Sequence, residues 1–204
     1  MTFIIGAVLA IWLALVLLLG TAGAFVRPPG EAPFPIAIGV TAPLIVFFAA
    51  FRVSAAFRAF VLTIDLPLVI AIQAWRFAGL GFLALYAHGI LPGVFAWPAG
   101  LGDMAIGLTA PWIALALFRR RSVANSQLFV VWNLLWIFDL VVAVSIGALS
   151  ASLGTGAEVT TAPMAQMPLV LIPAYFVPLF AMLHLAALFQ ARQVALSGRQ
   201  GEPA

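Results

Sequence analysis

The chain has 204 residues, of which 65% are apolar and 7% charged, with a formal net charge of +3. Soluble domains carry roughly 45–50% apolar and about 25% charged residues, so this composition excludes an ordinary water-soluble globule. All nine basic residues are scattered arginines and there is no cysteine, which excludes a concentrated nucleic-acid patch, disulfides and thiolate metal sites. We therefore expect the lipid bilayer, and no nucleic acid, as a partner.

Six apolar segments in chain order are long enough to cross a bilayer as helices. The sequence therefore predicts an all-α fold, a polytopic integral membrane bundle of about six transmembrane helices. Residues 1–195 are predicted to form one transmembrane domain, followed by a polar C-terminal tail at 196–204. The predicted spans cover residues 2–20, 35–51, 66–87, 94–118, 127–148 and 167–189.

The connections between these segments carry further signals. Asp65-Leu66-Pro67 is typical of a helix start, with an acidic cap before a proline in the first turn. Residues 52–64 have apolar side chains at helical spacing beside two arginines, which favours a short helix in the cytoplasmic interface; a longer, bent span is the alternative. Residues 98–102, with one proline and two glycines, are a candidate break in the fourth span, and Pro173 and Pro178 are candidates in the sixth.

The arginines predict orientation, because cytoplasmic loops of membrane proteins carry an excess of them. With six spans, seven of the nine fall on one side and Arg27 alone falls on the other, while Arg76 lies within the third span. Both termini are thus predicted to be cytoplasmic. The use of Ala, Gly and Arg without Lys favours a GC-rich bacterial source, and hence a multi-pass protein of a bacterial inner (cytoplasmic) membrane.

Three charged residues lie near the middle of consecutive spans: Arg76 in the third, Asp103 in the fourth and Asp139 in the fifth. An unpaired charge at the bilayer centre costs about 2.5–3.5 kcal/mol on insertion scales, and more in simulations. Such charges normally face the protein interior and have partners. The sequence therefore predicts a buried polar site at the midplane.

Asp103 lies on a stripe of small residues that recur at three- and four-residue steps along the fourth span. Small residues allow another helix to come close. Arg76, whose own helix face carries Gln73 and Gly79, is the nearest candidate partner, and we predict an Arg76–Asp103 contact with the bidentate geometry that suits a guanidinium. The other members of the stripe are Ala96, Gly100, Gly107, Ala110 and Ala114.

One guanidinium cannot neutralise two carboxylates, so we expect Asp103 or Asp139 to carry a proton, bind a cation or open onto water. Asn133 and His184 lie at a similar depth in the cytoplasmic half of the fifth and sixth spans. With Trp132 and Trp136 they are predicted either to wall a polar pocket or simply to pack together.

These observations leave three functions open. The favoured one is permease-like transport or small-ligand binding coupled to protonation. The alternatives are a non-catalytic subunit or assembly partner of a larger membrane complex or homo-oligomer, and a membrane-embedded enzyme or haem protein using His184 and Asp139. No catalytic motif, metal site or cofactor can be named from the sequence. The candidate ligand or proton site comprises Arg76, Asp103, Asp139, Gln73, Asn133 and His184, with Trp132 and Trp136 as the pocket wall.

Overall fold

The computed structural model describes residues 1–28, 30–153 and 159–200, and this part of the chain is largely helical and contains no strand. Six of its helical segments are long and apolar enough to cross a membrane, which confirms the predicted all-α bundle. The α-helices, numbered in chain order, are α1 (Thr2–Thr21), α2 (Phe34–Val53), α3 (Ala55–Thr63), α4 (Leu66–Ile72), α5 (Leu80–Ala87), α6 (Gly93–Arg119), α7 (Gln127–Leu153) and α8 (Val177–Gln200).

Four of the six spans are single helices, namely α1, α2, α6 and α7, and the other two are composite. The third span, Leu66–Ala87, joins α4 to α5, and the sixth, Ile172–Ala195, begins with a π-helical turn before α8. The sixth span thus begins and ends later than the predicted residues 167–189. The last helix continues to Gln200, into the segment predicted as a tail, and residues 201–204 lie outside the described part of the chain.

The bundle has two ends, which we name by their loops. The arginine-rich end holds Arg52, Arg58, the Arg119–Arg121 triplet and Arg192. The opposite end holds the connection between α1 and α2, the turn after α5 and the described residues that lead into the sixth span. Because the number of spans is even, the chain enters and leaves the bundle at the arginine-rich end.

Two capped helix starts separate α3 and α4 from their neighbours at the arginine-rich end. The Ser54 hydroxyl accepts a hydrogen bond from the Phe57 N–H at 3.2 Å, and the Asp65 carboxylate accepts one from the Leu68 N–H at 2.9 Å. Side-chain acceptors at these positions satisfy amides that lack a helical partner. Within the region 52–64, Ala55–Thr63 is therefore a separate short helix rather than a bent extension of a span, whereas residues 52 and 53 end α2. The helix start predicted at Asp65 is present.

The third span is not uniform. Between α4 and α5 the backbone tightens into a 3₁₀ helix over Gln73–Gly79. A 3₁₀ helix has about three residues per turn, against about 3.6 in an α-helix, so residues three apart stand directly above one another. Gln73, Arg76 and Gly79 are all buried on one line facing the bundle. The 3₁₀ helix therefore places Gln73, Arg76 and Gly79 against the same partner helix.

The partner is α6, which remains one continuous helix through Pro98 and Pro111. The candidate break at residues 98–102 is therefore absent. Irregular backbone lies instead in the third span and at the start of the sixth, where the π-helical turn Ile172–Phe176 includes the candidate Pro173, whereas Pro178 lies within the regular helix α8. A Cβ added at Gly107 would overlap the backbone of Phe77, and one added at Gly100 would lie 3.1 Å from the carbonyl oxygen of Gly79. Glycine at these positions lets the two spans meet backbone to backbone, as the small-residue stripe predicts.

The core is formed by the third to sixth spans, whereas α1 and α2 are peripheral and bury few residues. Gln190 of α8 is buried and donates hydrogen bonds to the carbonyls of Val61 and Ile64, both at 3.0 Å. This side chain ties α3 and the start of the third span to the sixth span. The three spans that carry Arg76, Asp103 and Asp139 all contribute to this core.

Candidate functional site

Arg76 binds the carboxylates of Asp103 and Asp139 at once. Its Nε donates to Oδ1 of Asp103 at 2.5 Å, and its Nη2 donates to Oδ2 of Asp139 at 2.6 Å. Hydrogen bonds between ionised groups are short and strong, and the planar guanidinium presents several donors in fixed directions. The predicted Arg76–Asp103 contact is present, but it is a single hydrogen bond rather than the predicted bidentate pair, because Nη2 binds Asp139 instead. Arg76 thus joins the third, fourth and fifth spans. We call Arg76, Asp103 and Asp139 the ion triad.

Burial within the ion triad is unequal. The Arg76 side chain is 1% exposed, whereas those of Asp103 and Asp139 are 20% and 18% exposed. With both carboxylates ionised, one positive and two negative charges leave a formal charge of −1. The two acidic side chains are also more accessible than the guanidinium.

Gln73 lies one 3₁₀ turn before Arg76 and is fully buried. Its amide nitrogen donates to the carbonyl of Phe180 in the sixth span at 3.3 Å. Among the described residues, Gln73 Oε1 and Arg76 Nη1 have no hydrogen-bond partner in the protein. Buried polar atoms of this kind are costly, and in native proteins they commonly bind water or a ligand.

A second polar group lies in the arginine-rich half of the bundle. His184 Nδ1 is 2.9 Å from Oδ1 of Asn133, and both side chains are fully buried. The Trp132 ring lies beside both His184 and Trp136, with centroid separations of 5.6 and 6.4 Å. These four predicted site residues are therefore together, but Trp132 and Trp136 are part of the packed core.

A cavity of about 390 Å³ connects the opposite end of the bundle with the ion triad. Its mouth is lined by the Arg27–Glu31 ion pair, and its inner part by Phe82, Phe95 and Asp103. This volume is in the range of small-molecule sites, about 300–1,000 Å³. Asp103 is the only member of the triad in the lining, and the cavity does not reach the His184 group.

Some residues of the site escaped the sequence analysis. Phe82 and Phe95 wall the cavity, and Gly102 lets Asp139 approach the fourth span, since a Cβ at Gly102 would overlap the Asp139 carboxylate. The sequence could have indicated Gly102, because it adjoins Asp103 in a glycine-rich stretch where another span can come close. The two phenylalanines carried no such signal, because they are ordinary apolar residues in apolar spans.

Among the described residues, no three His, Asp or Glu side chains are grouped so that they could hold a metal ion. His184 is fully buried with one ring nitrogen bound to Asn133, and His88 lies at the opposite end of the bundle. The two histidines of the chain therefore lie too far apart to bind one haem as its two axial ligands.

The fold and the site together define a multi-pass helical membrane protein with a charged cluster inside its core. The model of a domain of unknown function, DUF8737, matches residues 33–192, and the chain belongs to this family. The matched segment contains the ion triad, Gln73 and the His184 group. No curated protein and no solved structure matches the chain significantly.

Proposed function

We propose that the chain is a permease-like or ligand-binding membrane protein that takes up a proton or a small monocation at the ion triad. The observation that supports this most is the double ion pair of Arg76, at 2.5 and 2.6 Å, with Asp103 at the inner end of an open cavity. Arg76 acts as a clamp that holds both carboxylates in place. An anionic ligand is disfavoured because the guanidinium is 1% exposed and has two carboxylates around it.

The membrane and orientation belong to the same proposal. The basic loop residues of the described chain lie mainly at the arginine-rich end, and the positive-inside rule makes that end cytoplasmic. The cavity then opens to the outside of a bacterial inner membrane. A ligand from the external solution reaches Asp103 by crossing half of the bilayer thickness inside protein.

Protonation and cation binding compete in this mechanism because both neutralise the same excess negative charge. When protons are abundant, one carboxyl of the triad holds a proton and the site has no net charge. At higher pH that proton is released, and a monocation takes its place. Affinity for a monocation therefore rises with pH.

The test is thermal unfolding of the purified protein in lipid nanodiscs, with and without tetramethylammonium, over a pH series. We expect the cation to raise the midpoint more as the pH rises. Asp139→Asn removes the excess negative charge, so the increase and its pH dependence should both disappear. Asp65→Asn, which changes an exposed helix cap, is the matched control and should behave like the wild type. A cation effect that is unaltered by Asp139→Asn would overturn the proposal.

The second candidate is a structural subunit, and the same double ion pair supports it, since a buried Arg76 joining three spans also fixes their register. A reciprocal swap, Arg76→Asp with Asp103→Arg, separates the two. If the swapped protein folds and still binds the cation as a function of pH, the charges are packing devices. Normal folding with loss of cation binding favours the ligand site.

A further inference from the structure

A second cavity, of about 430 Å³, lies between the third and sixth spans, and we call it the lateral cavity. Its walls are apolar, with Trp75, Phe176 and Phe180 among them, and its charged lining residues are Arg76 and Asp103. It shares Asp103, and also Phe82 and Ile172, with the cavity that opens at the opposite end. Asp103 therefore lines both cavities and can be reached from either one.

The lateral cavity opens toward lipid. Trp75 immediately precedes Arg76 near the middle of the third span and is 76% exposed, and Phe176 of the sixth span is 39% exposed. Both are apolar side chains on segments that are long and apolar enough to span a membrane, so exposed groups there would face lipid. A molecule dissolved in the bilayer can thus reach Asp103 without passing through the external loops.

The chemistry of the lining selects the occupant. The Asp103 side chain is 20% exposed, and the triad has a formal charge of −1 with both carboxylates ionised, so the head group that suits it is a monocation. Arg76 also lines the lateral cavity, is 3% exposed, and has its Nη1 without a partner in the described part of the chain. That donor suits a neutral acceptor, such as a hydroxyl oxygen, on the same head group. The apolar walls suit a hydrocarbon tail.

We propose that the lateral cavity is a membrane-side entrance to Asp103, and that its ligand is a lipophilic monocation with one apolar tail and a hydrogen-bond acceptor beside the ammonium group. This inference rests on the proposed function, because it names the ligand class and the route of entry for the same site. The cavity of about 390 Å³ then serves exchange with the external solution.

Glycine positions allow the route to be blocked without disturbing the fold. Gly81 lines the lateral cavity, and a Cβ added there meets nothing within 4 Å. Gly81→Leu is therefore expected to fold and to fill the entrance. Gly6 on α1 also has nothing within 4 Å and lies away from both cavities, so Gly6→Leu is the matched control. Ala148→Leu obstructs the other cavity, which Ala148 lines.

The experiment measures binding of 2-aminodecan-1-ol, decylamine, decan-1-ol and ethanolamine to the full chain in nanodiscs, by thermal shift against empty-nanodisc partitioning controls. Comparing variants with the same probe cancels the partitioning of the tail into lipid. We expect Gly81→Leu to weaken 2-aminodecan-1-ol binding about tenfold, as when added methylenes occupy required space. Gly6→Leu and Ala148→Leu should leave it unchanged. Asp103→Asn should weaken it about thirtyfold or more, and decylamine should bind about fivefold less tightly for lack of the acceptor.

Three results would overturn the inference. Equal binding by the wild type and Gly81→Leu removes the lateral route, and equal binding of decan-1-ol makes the cavity a general lipid site. A stable dimer that Gly81→Leu dissociates makes the cavity an interface between copies. If ethanolamine still shows binding that depends on Asp139 and pH, the proposed function survives any of these results. Loss of that dependence as well means that the proposed function has failed.

Discussion

Gly102 in the fourth span and Asp139 in the fifth are in direct contact, because the carboxylate of Asp139 occupies the space that a side chain at position 102 would need. The neighbour of Gly102 in the chain is Asp103, the other carboxylate that binds Arg76. Absence of a side chain at one position therefore brings both acids to the same guanidinium.

Gly102→Ala should displace Asp139 and destabilise the protein. An added methyl group in a tightly packed site typically costs about 1–3 kcal/mol. The thermal midpoint in detergent or nanodiscs measures the effect. Gly81→Ala is the control, since its methyl group meets nothing within 4 Å. If both variants have the same midpoint, the contact between Gly102 and Asp139 is not as close as described.

Arg76→Met should be among the most destabilising changes in the chain. It leaves two partly exposed carboxylates, of Asp103 and Asp139, without their cation. Removing one partner of a fully buried ion pair costs about 3–5 kcal/mol, which is the upper limit for this site. The triple variant Arg76→Met, Asp103→Asn, Asp139→Asn should recover most of the loss, because no uncompensated charge remains. Unfolding midpoints of the two proteins give the comparison. A triple variant as unstable as the single one would contradict the electrostatic explanation.

Asn133 and His184 should be energetically coupled, since their hydrogen bond of 2.9 Å joins the fifth and sixth spans in a fully buried place. A double-mutant cycle of Asn133→Ala and His184→Ala is expected to give about 0.5–1.5 kcal/mol of coupling. A second cycle, pairing Asn133→Ala with Thr161→Ala, provides the reference for distant residues and should give a value near zero. Equal couplings in the two cycles would speak against the bond.

Gln190→Leu should loosen the arginine-rich end. The substitution removes the donors to the carbonyls of Val61 and Ile64 and leaves buried acceptors unpaired, a loss of about 1–3 kcal/mol. Hydrogen exchange of α3 should accelerate. Thr63→Ala, which removes only hydrogen bonds within α3, is the control and should change exchange much less. If the hydrogen exchange of α3 is the same in Gln190→Leu as in the wild type, the hydrogen bonds of Gln190 do not hold α3 in place.

Orientation can be checked with single cysteines, because the chain has none of its own. Glu31→Cys and Asn125→Cys place exposed thiols at the opposite end and the arginine-rich end respectively. In intact cells, a membrane-impermeant maleimide should label position 31 and leave position 125 unlabelled until the cells are opened. The reverse pattern would invert the proposed orientation.

The sequence predicts the Arg76–Asp103 pair because of a physical cost: neither charge is tolerated alone in the hydrocarbon core, and the small residues around Asp103 mark where another helix comes close. The sequence also predicts that Asp139 lies at the depth of Arg76 and Asp103, but it does not predict which residue Asp139 contacts. Its bond to the same Arg76 depends on Gly102 and on how the fifth span is rotated, which the pattern of apolar residues does not record.

Of the candidate breaks, the one at Pro173 in the sixth span coincides with irregular backbone, the π-helical turn Ile172–Phe176, and the one at residues 98–102 does not. Pro98 lies near the start of a long helix, where a proline removes one hydrogen bond without interrupting the helix. The tightened segment Gln73–Gly79 has no proline and arises where the third span meets the glycines of α6. The two cavities were also invisible, since their walls come from segments far apart in the chain.

The 3₁₀ segment Gln73–Gly79 also affects the length of the third span. Its rise is about 2.0 Å per residue, against about 1.5 Å in an α-helix, so conversion of seven residues would shorten the third span by about 3.5 Å. The same conversion would swing Gln73 and Gly79 away from the line they share with Arg76. A third span that was α-helical throughout would therefore be shorter and would face the fourth span with a different set of residues.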